Sequence, residues 1–440
     1  MMGSDGSWPG QARTALADLG RRLALLPVGP CELAAPLADP PSPFAWLDCL
    51  PRHVARAQFG RGRLGLDAVW RRDGADLELL AQDGPFRARW FSLPFDLDAP
   101  AAGEWAPFGR VRCWTPRLEW RAGQGLVLRL LNGADPGERA HCRRLLGGLA
   151  RRVARPAPRD PVGAPHFAPD GGGRPAWLAL AREALGRIGD EADPLDKLVL
   201  ARWRTARLPA PATSATLLEA VSRRDPAVWP YLLAWPGGGE LLGATPEWLF
   251  RRRRRQVACL ALAGTRRRGA TPALDRILAR DLLASGKDRH EQEVVSAWLA
   301  EALRPLLAGP PRTGRPRLRR LATLQHIESR LGGHLRPEVD DAALLAALHP
   351  TPALCGRPRG EARRWLRIME DGRGLCGGVL GILEASAAEA RVVIRCALRS
   401  KRTLRLWAGA GLVAGSRPEE EWEETGWKLG ALVAAWGDES

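Results

Sequence analysis

Two pairs of carboxylates with the same spacing stand out in this sequence. Glu421 and Glu424 lie three residues apart in the stretch PEEEWEETGWKL, and Lys428 follows Glu424 by four residues. At about 100° per residue, these three side chains would fall within about 60° of one another on a helix. Asp288 and Glu291, in SGKDRHEQEVV, repeat the spacing at the start of another predicted helix. Two such pairs facing each other would offer the hard oxygen ligands that Mg²⁺ prefers.

The glutamates near the C-terminus also have a simpler interpretation. Five of the six residues at 419–424 are glutamate, and Pro418 precedes them. Proline is favoured at the first position of a helix, and acidic residues in the first turn are stabilised by the helix dipole. A solvent-exposed acidic turn therefore explains these residues as well as a metal site does, unless a second carboxylate pair faces them.

Lysine is unusually rare in this chain. The 440 residues carry a formal net charge of +17, but of the 66 basic residues only Lys197, Lys287, Lys401 and Lys428 are lysines. Where arginine has taken nearly every basic position, a retained lysine indicates a site that needs a titratable amine or a compact ammonium group. Chance retention is the competing explanation, most of all for Lys401 in the turn RSKRT.

The composition bounds the class of protein. Hydrophobic residues make up 45% of the chain, enough for a sizeable core. The sequence has neither an export signal nor an apolar run of membrane-spanning length, so we expect a cytoplasmic protein that makes no use of a membrane. The eight cysteines are scattered without a C-x-x-C pair. This pattern favours reduced thiols and argues against a zinc site.

The basic charge raises the alternative of nucleic-acid binding. The run 251–255 consists of five arginines, and the isoelectric point is near 10.8. The other arginines are spread along the whole chain between short apolar runs, without a readable RNA-binding motif. We therefore expect no nucleic-acid partner, and an arginine-rich RNA-binding protein stays the alternative from another class.

Strands and helices intermix along the chain, which favours the α+β class. Residues 1–165 alternate strand-like runs with turns, and a Pro- and Gly-rich segment at 156–174 is predicted to be a loop. Helices and strands follow from 175 to 437. The last strands, GVLGILEA, ARVVIRCAL and TLRLWAGAGLVAG, are predicted to form a three-strand meander that leads into the acidic helix.

Several specific motifs follow one another along the chain, namely DKLVLAR, GATPEWLF, LALAGTRRRG, KDRHEQEVV, LHPTPALCGRPR, RGLCGGVLG, VVIRCAL, LWAGAGLVAGS and EEEWEETGWKL. By these motifs the sequence resembles the chorismate-utilising enzymes, and within them the isochorismate synthases. The resemblance implies one large α+β unit of two antiparallel β-sheets flanked by helices. Residues 1–165 would be a β-rich part of that fold, and 175–437 the chorismate-binding catalytic region.

The resemblance also implies a chemistry. Isochorismate forms when water adds at C2 of chorismate and the C4 hydroxyl leaves, so a base must activate the water and an acid must protonate the leaving group. By resemblance Lys197 is the base and Glu247 the acid; the lysine must be neutral and the glutamate protonated near neutral pH. Mg²⁺ would be held by Glu291 and Glu424, with Asp288 and Glu421 behind them or binding through water.

Other residues are implied to bind the substrate, namely Gly264, Thr265, His349, Thr351, Arg395, Gly409, Gly411 and Lys428. Arg395 is predicted to lie mid-strand and to pair with the enolpyruvyl carboxylate, whereas Gly264 and Thr265 would meet the ring carboxylate. His349, just before Pro350, could equally cap a helix end. Cys376 and Trp407 depart from the family pattern, which commonly has an aromatic residue and a tyrosine at these positions.

The related reactions can be sorted by residue type. Ala263 stands where aminodeoxychorismate synthases often carry a nucleophilic lysine, and anthranilate synthases lack a lysine at the position of Lys197. Salicylate synthase shares the same acid, base and metal residues and is the alternative within the family. The implied partner is chorismate, without a glutamine amidotransferase subunit, in a monomer or weak dimer. The pathway served, menaquinone or siderophore, stays open.

Overall fold

The computed structural model of this chain describes residues 7–40, 42, 44–49, 55–81, 84–99, 102–108, 110–154, 163–168, 173–209 and 211–437. The predicted α+β class is confirmed, because helices flank an extensive set of antiparallel strands. Most of the predicted loop at 156–174 lies outside the described residues. No helix in the described ranges is both long and apolar enough to cross a membrane.

The helices in these ranges are α1 (Trp8–Arg22), α2 (Ala45–Cys49), α3 (Glu78–Ala81), α4 (Pro136–Val153), α5 (Gly173–Ile188), α6 (Ser214–Arg224), α7 (Pro272–Ala284), α8 (Gly286–Leu303), α9 (Asp341–Leu348), α10 (Arg359–Met369) and α11 (Pro418–Gly437). The predicted acidic helix is α11. The second carboxylate pair lies in the first two turns of α8, whose N-terminus is capped by the Ser285 hydroxyl accepting from the Asp288 amide at 3.2 Å.

The strands are β1 (Cys31–Ala35), β2 (Arg56–Phe59), β3 (Arg63–Gly74), β4 (Arg89–Leu93), β5 (Val111–Arg121), β6 (Gly125–Leu130), β7 (His166–Phe167), β8 (Lys197–Arg207), β9 (Trp229–Ala234), β10 (Glu240–Thr245), β11 (Trp248–Arg253), β12 (Gln256–Arg267), β13 (Arg312–Thr313), β14 (Arg317–Arg320), β15 (Leu324–His334), β16 (Gly356–Arg357), β17 (Val379–Glu384), β18 (Ala387–Val392), β19 (Cys396–Ser400) and β20 (Thr403–Val413).

These strands form two antiparallel limbs that meet at β5. One limb runs β5-β3-β2-β9-β10-β19-β20-β8, with β6 and β1 added on the other side of β5. The other runs β5-β4-β17-β18-β11-β12-β15. The two predicted sheets correspond to these limbs, which share β5 and so belong to one hydrogen-bonded network.

The chain crosses between the limbs at two neighbouring places. β10 lies in the first limb and β11 in the second, and residues 246–247 connect them. β18 lies in the second limb and β19 in the first, and residues 393–395 connect them. The two crossings are hydrogen-bonded to each other: the Val392 amide donates to the Glu247 carbonyl at 3.3 Å, and the Ala244 amide to the Arg395 carbonyl at 3.2 Å.

The predicted three-strand meander is therefore wrong. The segment ARVVIRCAL is split into β18 and β19, which pair with different limbs. Arg395 lies in the break and not mid-strand, and its φ of 51° is a left-handed conformation that no regular strand contains. The sequence predicted one continuous strand here because the apolar residues continue through the crossing.

Both limbs are covered by helices through large apolar clusters. One cluster joins α1, α4 and α6 to the first limb, with Leu429, Leu432 and Trp436 of α11 also packed in it. A second cluster places Val295, Leu299 and Leu303 of α8 against β12 and β15. Strands of the first 165 residues pair with later ones, β2 with β9 and β4 with β17. The division at 165–175 stays a prediction.

Candidate active site

A cavity of about 840 Å³, including its open mouth, lies where the two limbs diverge. It is bordered by β8 and β20 of the first limb, by β12 of the second, by both chain crossings, and by helices α8 and α11. The predicted residues among its walls are Glu247, Gly264, Thr265, Glu291, Arg395, Gly409, Gly411, Glu424 and Lys428. Residues distant in sequence are thus brought to one place by the topology of the strands.

Lys197 is the first residue of β8 and is completely buried, as its place at the start of an apolar strand suggested. Its ammonium lies 3.1 Å from Glu291 Oε1, on α8. Gly411, on the adjacent strand β20, allows this contact: a Cβ there would lie 2.2 Å from Glu291 Oε1 and 3.3 Å from Lys197 Cε. The absence of a side chain at 411 therefore opens the space in which base and carboxylate meet.

Glu247 lies on the crossing from β10 to β11 and is 4% exposed. Burial raises its pKa to about 8, although the charges of Lys428, Lys197 and Arg395 act in the opposite direction. Its neutral form is therefore favoured at neutral pH, as the proposed role of acid requires. The Thr245 hydroxyl accepts a hydrogen bond from the Glu247 amide at 3.1 Å and fixes the backbone here.

The two carboxylate pairs meet, and each carboxylate is matched by a cation. The ion pairs are Lys197–Glu291 at 3.1 Å, Lys428–Glu424 at 2.8 Å, Lys287–Glu421 at 2.6 Å and Arg266–Asp288 at 2.7 Å. All four carboxylates are buried, with at most 8% of the residue exposed. The solvent-exposed acidic turn is thus not the whole account of α11, because two of its glutamates face inward.

The charges of these groups are strongly interdependent. Burial raises the pKa of Glu421 to about 7, and the Glu424 charge adds to this effect. Burial opposes ionisation of Glu291 as well, but the ammonium groups of Lys197, Lys287 and Lys428 outweigh it and lower its pKa. Burial also raises the pKa of the Asp288 carboxyl. The carboxylates are therefore close enough together to repel one another.

This donor set fits a divalent cation in chemistry. Both carboxylate oxygens of Asp288 are buried, and their partners among the described groups are two cations, Arg266 at 2.7 Å and Lys287 at 3.9 Å. Such oxygens are costly unless a cation compensates them. In the described part of the chain, no three His, Cys, Asp or Glu side chains are already arranged around one point as metal ligands. The lysine ammonium groups lie between the carboxylates instead.

Arg395 is held by a histidine. Its Nη2 donates to His326 Nε2 at 2.7 Å, and His326 Nδ1 lies 3.0 Å from the Gly264 carbonyl. Burial lowers the pKa of His326 well below its usual range, and the charge of Arg395 acts in the same direction, so the ring is neutral. A neutral ring protonated on Nδ1 satisfies both contacts, and Arg395 is thereby directed along the cavity wall.

Gly264 creates a bulge beside the metal-ligand candidates. Its φ is +67°, and the pairing of β12 with β15 shifts register between Ala263 and Thr265. A Cβ at 264 would lie 3.1 Å from Asp288 Cβ, so glycine lets α8 pack closely on β12. The Gly264 amide donates to Glu291 Oε2 at 3.2 Å. This amide was predicted to bind the substrate, and in the structure it donates to a carboxylate of the protein.

A family model described as "Chorismate binding enzyme" matches residues 85–437 of this chain. The chain belongs to the family of chorismate-binding enzymes. All the cavity residues named above lie within the matched range.

Individual proteins similar to this chain are named as isochorismate synthases. The isochorismate synthase DhbC of Bacillus subtilis is 38% identical over 264 residues, which cover 58% of this chain and 66%, just under two thirds, of that protein. A putative isochorismate synthase, MenF, of Mycobacterium tuberculosis is 35% identical over 322 residues, covering 67% and 87%. The solved structure of MenF, the menaquinone-specific isochorismate synthase from Escherichia coli, superposes with a TM-score of 0.77 at 25% identity, covering 97% and 99%.

Two predicted substrate-binding residues of this chorismate-binding enzyme do not line the cavity. His349 caps the C-terminus of α9, and its Nε2 lies 2.9 Å from the Pro94 carbonyl. Burial lowers its pKa to about 4, so it is a neutral ring in the interior. Thr351 is also buried and is not a lining residue. The helix-cap interpretation of His349 describes the structure. Lys197, Asp288 and Glu421 likewise lie behind the lining residues, so substrate contact by His349 and Thr351 stays a prediction.

Several cavity residues were not predicted. His326 lies inside β15, and no spacing in LQHIES indicated its contact with Arg395. Arg373 donates to the Leu354 carbonyl at 2.7 Å and to Glu370 Oε1 at 2.6 Å, which ties its loop to the cavity wall. Sequence alone offered no signal for His326, since its partner Arg395 is 69 residues away along the chain.

The departures at Cys376 and Trp407 fall on the same wall. Cys376 lines the cavity, and the ring of Trp407 packs on Trp105 with a centroid distance of 4.8 Å. Gly374 lies directly against Trp105, where a Cβ would approach the indole to 2.2 Å. Cys376, where the family commonly has an aromatic residue, therefore lies on the same wall as a pair of tryptophan rings.

Proposed function

We propose that this chain is an isochorismate synthase, an isomerase that converts chorismate to isochorismate with Mg²⁺ as cofactor. The single observation that carries the proposal is the meeting of an acid and a candidate base at one site. Glu247, with a pKa of about 8, lines the cavity, and the buried Lys197 lies behind the cavity wall in contact with the lining residue Glu291. An acid that stays protonated and an amine that can accept a proton are what the exchange of hydroxyl groups requires.

In this reaction Lys197 removes a proton from the water that attacks C2. Glu247 gives its proton to the C4 hydroxyl, which leaves as water, so the product has the composition of the substrate. Arginine could not replace Lys197, because a guanidinium does not release its proton in the pH range of proteins. Gly411 leaves room for the Lys197 amine beside Glu291, because a Cβ at 411 would lie 2.2 Å from Glu291 Oε1.

The substrate is a dicarboxylate, and the cavity has cations to receive it. Arg395, oriented by His326, is proposed to bind the enolpyruvyl carboxylate. Lys428, whose ammonium lies 2.8 Å from the Gly409 carbonyl, contributes a second positive charge on the opposite element α11. Thr265 would offer its hydroxyl to the ring carboxylate, once its contact with His326 Nδ1 at 3.3 Å is exchanged.

Glu291 and Glu424 line the cavity and are proposed to hold Mg²⁺, with Asp288 and Glu421 behind them. When bound, the ion would neutralise the ring carboxylate and support the charge that develops during displacement. The neighbours of these residues then matter, because the ammonium groups of Lys197 and Lys428 contact the same carboxylates. The burial of all four carboxylates in one cluster supports this assignment.

Two features separate the proposed reaction from other chorismate chemistry. Lys197 is present where an enzyme that adds ammonia needs no such base. Ala263 lines the cavity where a nucleophilic lysine would form a covalent adduct with the substrate. An enzyme of this kind would use water as the nucleophile and need no amidotransferase subunit to deliver ammonia.

The proposal is tested by incubating the purified protein with chorismate and MgCl₂ and separating the products by chromatography against authentic standards. We expect isochorismate to accumulate to an equilibrium mixture with chorismate. Fluorescent salicylate formed by the protein alone would indicate the salicylate synthase alternative. Absence of turnover, together with salt-dependent RNA binding, would favour the nucleic-acid alternative and overturn the proposal.

A further inference from the structure

Three of the four lysines of the chain lie in the candidate active site, and one of them has no role in the proposed chemistry. Lys197 and Lys428 are accounted for as base and substrate contact, and Lys401 lies in an exposed turn between β19 and β20. Lys287, the second residue of α8, does not line the cavity. In an arginine-rich chain its retention calls for a reason particular to an ammonium group.

The contacts of Lys287 are all with carboxylates. Its Nζ lies 2.6 Å from Glu421 Oε1 and 3.9 Å from Asp288 Oδ1. These are its partners among the described residues. The lysine side chain is 22% exposed, whereas the side chains of Glu421 and Asp288 are at most 2% exposed. Lys287 thus covers the acidic cluster from the solvent side and joins α8 to α11.

Each carboxylate of the cluster is paired with one basic side chain. Asp288, Glu291, Glu421 and Glu424 face Arg266, Lys197, Lys287 and Lys428, respectively. A divalent ion entering between the carboxylates would bring two positive charges close to these basic groups. Like charges at close range in a poorly solvated site repel strongly, so a basic side chain that is free to move should leave.

Lys287 is the cation best able to leave. Lys197 is fully buried, and Lys428 is also held by the Gly409 carbonyl. Arg266 is held by the carbonyl of Thr265 at 2.8 Å. Among the described residues, the ion pairs of Lys287 are with carboxylates and it has no hydrogen bond to a backbone carbonyl, so a rotamer change can bring its partly exposed side chain to water.

We propose that Lys287 is the counter-ion of the metal-free site: its ammonium neutralises Glu421 and Asp288 until Mg²⁺ displaces it. The inference rests on the proposed magnesium site. Lys287 thereby stabilises the buried acidic cluster of the metal-free protein, and it opposes Mg²⁺ binding by holding Glu421 and Asp288, the carboxylates behind the proposed ligands. Such a competitor sets the metal concentration at which the site fills.

The test compares the full-length variants Lys287→Met and Lys401→Met with the wild type. Methionine is uncharged and nearly as long as lysine, so it removes the ion pair without adding an oxygen ligand for Mg²⁺. Mg²⁺ affinity is measured by calorimetric titration with MgCl₂ alone, and the melting temperature is measured in EDTA. Lys287→Met should bind Mg²⁺ at least about fivefold more tightly, the lower end for coupling between two sites. Its melting temperature in EDTA should be lower than that of the wild type.

Lys401→Met removes the same charge from an exposed turn, so it should leave both quantities unchanged. A second variant, Lys287→Arg, retains the ion pair and its fold. Its two-point contact with carboxylate should make Mg²⁺ binding weaker than in the wild type. Mg²⁺ binding that is unchanged or weaker in a folded Lys287→Met protein, or unchanged in Lys287→Arg, would overturn the inference alone. Absence of Mg²⁺ binding by the wild type would overturn both the inference and the proposed magnesium site.

Discussion

The ammonium of Lys197 lies 3.1 Å from Glu291 Oε1, so the proposed base and a proposed metal ligand form one buried ion pair. The two residues belong to different elements, β8 and α8, and meet where Gly411 of β20 leaves room for them. Proton transfer and metal binding therefore depend on the same few atoms, and substitutions at one should be visible at the other.

The identity of the basic residue at 197 is the first prediction. Lys197→Arg keeps the positive charge next to Glu291 but cannot accept a proton from water. We expect kcat to fall at least about a hundredfold, as for the loss of a general base, and to the same level as in Lys197→Ala. Initial rates of isochorismate formation give the comparison. Lys401→Arg, the same exchange in an exposed turn, serves as the control and should have wild-type kcat.

Removal of the metal is the second prediction. Turnover should stop in EDTA and return with added Mg²⁺, because Glu291 and Glu424 are proposed to hold the ion at the cavity. Glu424→Ala should be inactive and yet folded, as judged by circular dichroism. Glu420→Ala is the matched control on the same helix, since Glu420 is exposed and pairs with Arg417. Full activity of the wild type in EDTA would contradict the assignment.

The pH dependence of Glu247 is the third prediction. Because burial raises its pKa to about 8, the acid form is present at neutral pH and is lost as the pH rises through that value. The rate should therefore decline above about pH 8. A rate that stays constant well into the alkaline range would assign the proton donor to another group.

The same shift has a consequence for stability. Between about 4.5, the usual pKa of the carboxyl, and about 8, the folded protein holds a proton on Glu247 that the unfolded chain has released. The contribution of this group to the free energy of unfolding should therefore fall as the pH rises through this window. Glu247→Gln, which never ionises, should remove this part of the pH dependence. Urea denaturation of both proteins at pH 5 and pH 8 measures the difference.

The fourth prediction concerns Arg395. Its guanidinium is fixed by His326 and can present two N–H groups to a carboxylate, which a lysine cannot. Arg395→Lys should raise the KM for chorismate about tenfold or more, with a smaller change in kcat. Arg251→Lys, at a half-exposed position on β11, is the control. A loss confined to kcat with unchanged KM would argue against a role in binding.

Much of the local structure followed from the sequence, whereas its assembly did not. The spacing of Glu421, Glu424 and Lys428 predicted an inward face on α11, and the structure has it. The apolar run that follows Lys197 indicated partial burial, and the structure buries this residue completely. Each of these inferences needs only one element and its periodicity, which a sequence displays directly.

The crossings between the limbs were beyond such reasoning. Glu247 and Arg395 face the same cavity because the two crossings, which are remote in sequence, are hydrogen-bonded to each other. The apolar run around Arg395 predicted one strand, but its left-handed backbone divides the run into two. The contacts of His326 and Lys287 could not be predicted for the same reason. Their partners lie on other elements, and the periodicity of a single element does not reveal them.

The origin of the oxygen in the product tests the central claim most directly. If Lys197 activates a water molecule that attacks C2 while the C4 hydroxyl leaves, turnover in water enriched with oxygen-18 must place one labelled oxygen in isochorismate. Mass spectrometry of the product should show this single label, with fragmentation locating it at C2. Isochorismate formed without the label would contradict the account, because the hydroxyl would then have moved within the substrate and no base-activated water would be needed.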